Sequence, residues 1–348
     1  MNKIIWISAV VLSVAACAKN EVIPVNSGEN QEITFNVAPK TKAATKFADN
    51  LKFKSYAYYL PGDETWDQHT TPPALYINGA EIAYRQKTAE SEEKVWKAED
   101  SYYWPKNGKL TFFAWTSLEE TNANNATPSY ETKYVTGVEC SVADGIKVTG
   151  YNVTTNKNFD FLVADIVKDK TSNSDMQYWN KGVTTIFKHK LSYVIFKVKT
   201  DIAYSNKTFT LKSITFKDIE YVGDYKQLGT EGWTPKTPEV KTPVVYTNAS
   251  TLINNSEATL TTDNTFNYYL PQSFATSGSV VVEYWIETNE NGNKSTDKVT
   301  KTINMKDLFT SWEMGKKYTV TLTFKLDEIL WDPAVEEWTP GTVSSDVK

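Results

Sequence analysis

Arginine is almost missing from this chain of 348 residues: Arg85 is the only one. Histidine occurs twice, as His69 and His189, and cysteine twice, as Cys17 and Cys140. No apolar run after residue 16 approaches the roughly 20 residues that a membrane-spanning helix needs. These shortages exclude a good deal. Lysines scattered among acidic residues carry the positive charge, the net charge is -5, and no basic stripe exists, so nucleic acid is not an expected partner. If Cys17 is chemically occupied, Cys140 has no partner in the chain, and burial rather than a disulfide framework must hold the fold. Neither histidine has a neighbour at metal-ligand spacing. Both read as surface imidazoles, and Cys140 as a buried or idle thiol. A Cys140–His189 nucleophilic pair brought together by folding is the enzymatic alternative. There is no Gly-x-Ser-x-Gly elbow, phosphate loop or dinucleotide fingerprint. Carboxylate pairs such as Glu119-Glu120 and Glu336-Glu337 lie in polar surroundings, which do not raise a carboxyl pKa as a general acid requires. No catalytic, cofactor-binding or metal-binding residue is assigned, and no cofactor is expected.

What the chain does have is aromatic residues, at 13% of the total, and abundant threonine, a composition that favours strands. Period-two alternation recurs throughout. Ile33, Phe35 and Val37 share one face of a short segment. Leu51 to Leu60 reads as a strand closed by a turn at Pro61-Gly62-Asp63. Residues 84–101 are charged and read as a solvated loop. Asn107-Gly108 reads as a hairpin turn leading into Leu110 to Trp115. Phe159 to Ala164, Val183 to Phe187 and Leu191 to Lys199 read as strands. So does Phe209 to Tyr221, with an irregularity near Ser213. Gly229 to Thr242 reads as a surface excursion. Val280, Val282, Tyr284 and Ile286 share a face, and a polar turn follows at Asn289 to Asn293. Tyr318, Val320, Leu322, Phe324 and Leu326 alternate most regularly, and Ile329 and Trp331 extend the apolar tail. No comparably long segment has helical period. The fold class is all-β, and many short strands with polar turns imply β-sandwiches. The hydrophilic stretch 168–175 is the candidate boundary between an N-terminal domain (31–175) and a C-terminal domain with its tail (176–348). Six aromatics, Trp66, Tyr102, Tyr103, Trp104, Trp233 and Trp285, leave open a flat platform for sugar rings, although in an all-β chain without disulfides most aromatics fill the core between sheets.

The N-terminus has its own pattern. Lys3 precedes an apolar run from Ile4 to Val14, interrupted only by Ser8 and Ser13, of signal-peptide length. It ends in Val14-Ala15-Ala16-Cys17, which resembles the lipobox of bacterial lipoproteins. That resemblance implies a signal peptide over 1–16, diacylglycerol on the Cys17 thiol, and a polar tether over 17–30.

Several phrases, taken together in order, resemble the fimbrillin family of Bacteroidales, including its minor-fimbrium-like members. They are Ile33-Thr34-Phe35 before Thr41-Lys42-Ala43; Tyr103-Trp104-Pro105 with Gly108 and Leu110 to Ala114; Asp160 to Ala164; Phe187 to Ser192; Tyr269-Leu270-Pro271-Gln272; and Trp312 with Gly315 and Tyr318. They span nearly the whole mature chain. The resemblance implies two tandem transthyretin-like β-sandwich domains on an outer-membrane lipoprotein of a type V pilus. It also implies assembly by strand exchange: a protease removes a first strand, and a strand of the next subunit fills the groove. Here the displaced strand would carry Ile33, Phe35 and Val37 as an edge element. The donor would come from Tyr318, Val320, Leu322, Phe324, Leu326, Ile329 and Trp331. Partners would be other fimbrial subunits, the outer membrane through the lipid, and a host or bacterial surface ligand. The best-known pilins of the family are cut after arginine in the early loop, which here offers only Lys40, Lys42 and Lys46. Cleavage at Arg85 would also remove the Leu51–Leu60 strand. An uncut member would serve as an anchor or standalone adhesin. The competing readings are a monomeric glycan-binding surface lipoprotein and a secreted hydrolase.

Overall fold

In a computed structural model the described residues are 31–37, 52–119, 129–130, 135–156, 159–173, 182–236, 244–260 and 267–338. Cys17, the signal peptide and the tether lie outside them. The strands of the first half are β1 (Phe35–Val37), β2 (Lys52–Leu60), β3 (Ala74–Gln86), β4 (Lys94–Ala98), β5 (Lys109–Glu119), β6 (Ser129–Tyr130), β7 (Val138–Ser141), β8 (Gly145–Asn152), β9 (Phe159–Ala164) and β10 (Val167–Lys170). Then follow β11 (Val183–Thr185), β12 (Phe187–His189), β13 (Ser192–Thr200), β14 (Lys207–Lys217), β15 (Val222–Lys226), β16 (Gly232–Lys236), β17 (Val244–Ile253) and β18 (Ala258–Thr259). The last are β19 (Tyr268–Tyr269), β20 (Gln272–Ser273), β21 (Ser279–Glu290), β22 (Asn293–Asn304), β23 (Ser311–Trp312), β24 (Lys316–Phe324) and β25 (Ile329–Glu337). The one helix among the described residues, α1, is a single turn at Met305–Leu308. The chain is all-β.

The first sheet runs β11-β1-β4-β3-β2-β5-β9-β12, with β6 and β10 also on β5. Its two end strands are neighbours in sequence, separated only by Ile186. The sheet must therefore curl until its ends approach. Inside the roll lies a core that includes Phe35, Phe53, Trp96, Trp104, Phe112, Leu162 and Phe187. The opposite face of β2, β5 and β9 is also covered: Tyr56, Tyr58, Phe113, Trp115, Phe161 and Val163 pack into a second core. That explains the unbroken apolar run from Phe112 to Trp115, since a strand buried on both faces needs no polar alternation.

The C-terminal half is a sandwich. One sheet has the order β18-β13-β24-β25, with β19 also on β13; the other has the order β17-β14-β21-β22. Side chains meet between them: Phe196 on Phe216 at 5.7 Å between ring centres, and Tyr284 edge-on to Phe324 at 4.8 Å. The irregularity at Ser213 is a bulge in β14, where its register against both β17 and β21 shifts. The turn before β22 places Asn291 and Gly292 at φ of 53° and 90°, as the tight two-residue hairpins require.

Several features differ from the sequence reading. Residues 84–101 are a loop only in part, at 87–93 and 99–101: β3 continues to Gln86 and β4 pairs back onto it, because Trp96 and Ala98 point into the roll. Part of 229–242 is β16, paired with β15. Asn107-Gly108 closes no hairpin, since β5 pairs with β2 and β9. Gly108 is required there because a Cβ would lie 2.3 Å from the Leu60 carbonyl oxygen. Pairing also crosses the line drawn at 175/176. β11 and β12 belong to the first sheet, and β8 pairs with β15 in a small sheet β16-β15-β8-β7.

Candidate functional site

Strand β1 sits in a slot. It is short, and its inward side chains Phe35 and Val37, with Ile33 just before it, are all buried. Phe35 packs edge-on against Phe53 at 5.5 Å and Phe112 at 6.0 Å. At about 1.5–3 kcal/mol per large side chain, the three contribute on the order of 5–9 kcal/mol, similar to a domain's net stability. The main chain is held on both sides. β11 runs parallel to β1 with Phe35 beside Val183, while Ile33 N–H donates to Tyr102 O at 2.7 Å and Trp104 N–H to Gln31 O at 3.1 Å. β1 is thus an interior strand rather than the edge element its short apolar face suggests. Its neighbours β4 and β11 are themselves short, so the sheet closes over it only locally. Residues 38–51, which carry Lys40, Lys42 and Lys46, lie outside the described residues. Arg85 lies within β3 opposite Val95 on β4, and Glu81 stands 3.8 Å from its guanidinium. A protease that binds its substrate extended in its own cleft meets a strand already paired there.

The apolar tail divides into two parts. β24 is a central strand, parallel to β13 along eight positions and antiparallel to β25. Tyr318, Val320, Leu322 and Phe324 are buried in the sandwich of their own chain. Leu326 lies in the following turn at 48% exposure. β25 is a sheet edge: Ile329 is buried, Trp331 half-buried, and the six residues after it exposed. Its C-terminal end is fixed more firmly. Trp338 donates its backbone N–H to Gly315 O at 2.8 Å, and its ring lies flat on His189 at 3.5 Å.

Two of the free edges carry guarding residues. Pro333 stands in the middle of β25 opposite Val320 and has no N–H to offer a ladder. β22, the edge of the other sheet, carries Lys294, Lys298 and Lys301. Prolines and lysines on an edge oppose pairing with another chain.

His189 is buried, not at the surface. Its ring bonds the Asp160 carboxylate, and both side chains are almost fully enclosed. Burial raises the Asp160 pKa above its ordinary value, and the neighbouring His189 opposes that shift. Asp160 Oδ1 and His189 Nε2 have no hydrogen-bond partner. The alternation Phe159, Phe161, Val163 hid this residue, because in a strand covered on both faces the polar position is also interior. Cys140 lies elsewhere, on β7. The Tyr58 hydroxyl donates to its backbone oxygen at 2.9 Å, and burial pushes the thiol up to about 12, where it stays protonated at neutral pH. His69 is exposed beside Trp66. Among the described residues no three His, Cys, Asp or Glu side chains gather as a metal site. The six aromatics form no common platform. Trp66 and Trp104 are buried in different cores, Trp233 packs on Tyr151 and Tyr225, and Trp285 alone reaches 37% exposure.

The sequence profile of the fimbrillin-like family matches residues 41–338. The chain belongs to that family. None of the curated proteins matches it. Among solved structures, a fimbrial protein from Bacteroides vulgatus ATCC 8482 is similar to this fimbrillin-like chain over 89% of its length and 100% of the other, with a TM-score of 0.63 and 17% identity. At that identity the likeness shows a shared fold. A fimbrial assembly protein from Parabacteroides distasonis ATCC 8503 covers 88% of this chain and 99% of its own, at TM-score 0.34 and 12% identity. The fimbrial anchor protein Mfa2 from Porphyromonas gingivalis covers 89% and 98%, at TM-score 0.28 and 10% identity.

Proposed function

We propose that this fimbrillin-like chain is a structural, accessory or anchor subunit of a surface fimbria that serves adhesion. It is held at the outer membrane by lipid on Cys17 and joined to other subunits by strand exchange. The observation that supports the reading is the β1 slot. A single short strand covers Phe53 and Phe112 from within a curled sheet, while the edge strands β25 and β22 carry proline and lysine. Loss of β1 exposes an apolar groove lined by unpaired main chain on β4 and β11, which an extended strand fills by ladder hydrogen bonds and alternate side chains. Donor and acceptor lie at different places on the subunit, so the contact builds a filament rather than a closed dimer. The donor narrows to β25, with Ile329 and Trp331. Extracting β24 would remove the subunit's own core, whereas β25 is bonded on one side only.

The test compares three forms by size-exclusion chromatography: the mature chain, the chain starting at Lys46, and that shorter chain also lacking residues 327–348. The first is expected to be monomeric, the second oligomeric and the third monomeric. A soluble monomer for the second at high concentration overturns strand exchange and leaves an uncut anchor or adhesin. For the membrane link, Cys17→Ala should abolish incorporation of labelled palmitate in cells. A variant that still takes up label overturns the lipid assignment.

A further inference from the structure

The slot of β1 and the end of β25 are joined by one continuous set of contacts. Phe35 on β1 touches Phe53 at 5.5 Å, and Phe53 touches Phe187 on β12 at 5.4 Å. Two residues along β12 is His189, clamped by Asp160 of β9 and covered by the Trp338 ring at 3.5 Å and 13°. The main chain offers a second route: β1 pairs with β11, and β11 connects to β12 through Ile186 alone. Trp338 also packs on Tyr193 at 5.1 Å and Tyr268 at 5.6 Å. It fills the seam between the end of the first sheet and the C-terminal sandwich.

β25 needs such a fastening. Most of its side chains are exposed, and it is bonded to β24 alone. The ion pairs of Glu336 with Lys317 and of Glu337 with Lys316 lie at the surface, where solvent screens them. Trp338 is the aromatic anchor at that end.

The geometry points to Trp338 as a latch that keeps β25 on its own sheet while β1 occupies its slot, with β11, β12 and His189 as the connection. With β1 gone, β11 loses its ladder with β1 and the Phe35–Phe53 contact lapses, so Phe53 and the Phe187 ring packed on it lose one wall of their packing. His189 then no longer presents a fixed surface to Trp338, and β25 is freed from its C-terminal end. The inference rests on the strand-exchange reading, and adds that vacating the acceptor site and releasing the donor are coupled within one subunit.

Hydrogen–deuterium exchange on the monomeric full chain tests it without any need for assembly. Trp338→Ala should speed exchange in residues 330–337 by about tenfold, the scale of one lost aromatic stack, while Trp338→Phe should stay near the parent. Val37→Ala is a mild change at the end of β1, far along the chain from β25. It should also speed exchange in 330–337, and by reciprocity Trp338→Ala should speed exchange at Ile33 and Val183. If Trp338→Ala leaves 330–337 unchanged, the latch is overturned. If it speeds them while Val37→Ala does not, the coupling is overturned. Neither outcome touches the chromatography of the truncated chain, so the assembly reading stands or falls separately.

Discussion

Replacing Phe35 by alanine in the full chain removes the side chain that centres β1 in its slot. Phe35 is 5% exposed and meets Phe53 and Phe112 edge-on, at interplanar angles of 85° and 90°. Truncating a buried phenylalanine costs about 3–5 kcal/mol, of which the two ring pairs supply about 0.5–1.5 kcal/mol each. The site relaxes poorly, because β11 and β4 hold the main chain on both sides and cannot close inward without breaking their ladders. The upper part of the range is therefore expected. In urea, with a slope of about 2 kcal/mol/M, the midpoint should fall by about 2–2.5 M with the slope unchanged. Phe35→Leu keeps most of the volume and should lose less than half as much. A midpoint shift below about 0.5 M for Phe35→Ala would show that β1 contributes little, and the argument that its removal leaves an adhesive groove would fail with it.

Other expectations follow from the buried polar groups and from the sheet that joins the two halves. Cys140→Ser should cost at most about 1–3 kcal/mol, and the wild-type thiol, pushed up to about 12, should resist alkylation at pH 8 in the folded chain. Rapid labelling under native conditions would contradict the raised thiol pKa. Burial raises the Asp160 pKa above 3.8, so the folded state holds that proton more tightly than the unfolded chain does. Its contribution is full below about pH 3.8 and declines as pH rises through the folded value. Asp160→Asn should flatten that segment of the urea-midpoint curve, and an unaltered curve would remove Asp160 from the account. A cut within residues 174–181 should leave the two fragments associated on size exclusion, because β8 pairs with β15 and Gln227 Nε2 donates to Ala164 O at 2.8 Å. Fragments that separate and stay folded would restore two independent domains.

Much of the secondary structure was legible in the residues alone. Tyr318, Val320, Leu322 and Phe324, and likewise Val280, Val282, Tyr284 and Ile286, alternate because each strand has one buried face, and the structure buries all eight. The bulge at Ser213 and the turn at Asn291-Gly292 are local events, set by neighbouring residues. The β3–β4 hairpin was hidden by its charged outer face, although Trp96 and Ala98 mark its inner one. What only the tertiary structure decided is pairing between distant segments. A period of two says which side chains share a face; it does not say which strand lies alongside. So the chain's own pattern could not tell that β24 is central and β25 an edge, that β1 lies between β4 and β11, or that Asp160 and His189 meet 29 residues apart beneath Trp338. Those relations depend on how the first sheet curls until β11 and β12 approach, a global closure that no short window of sequence encodes.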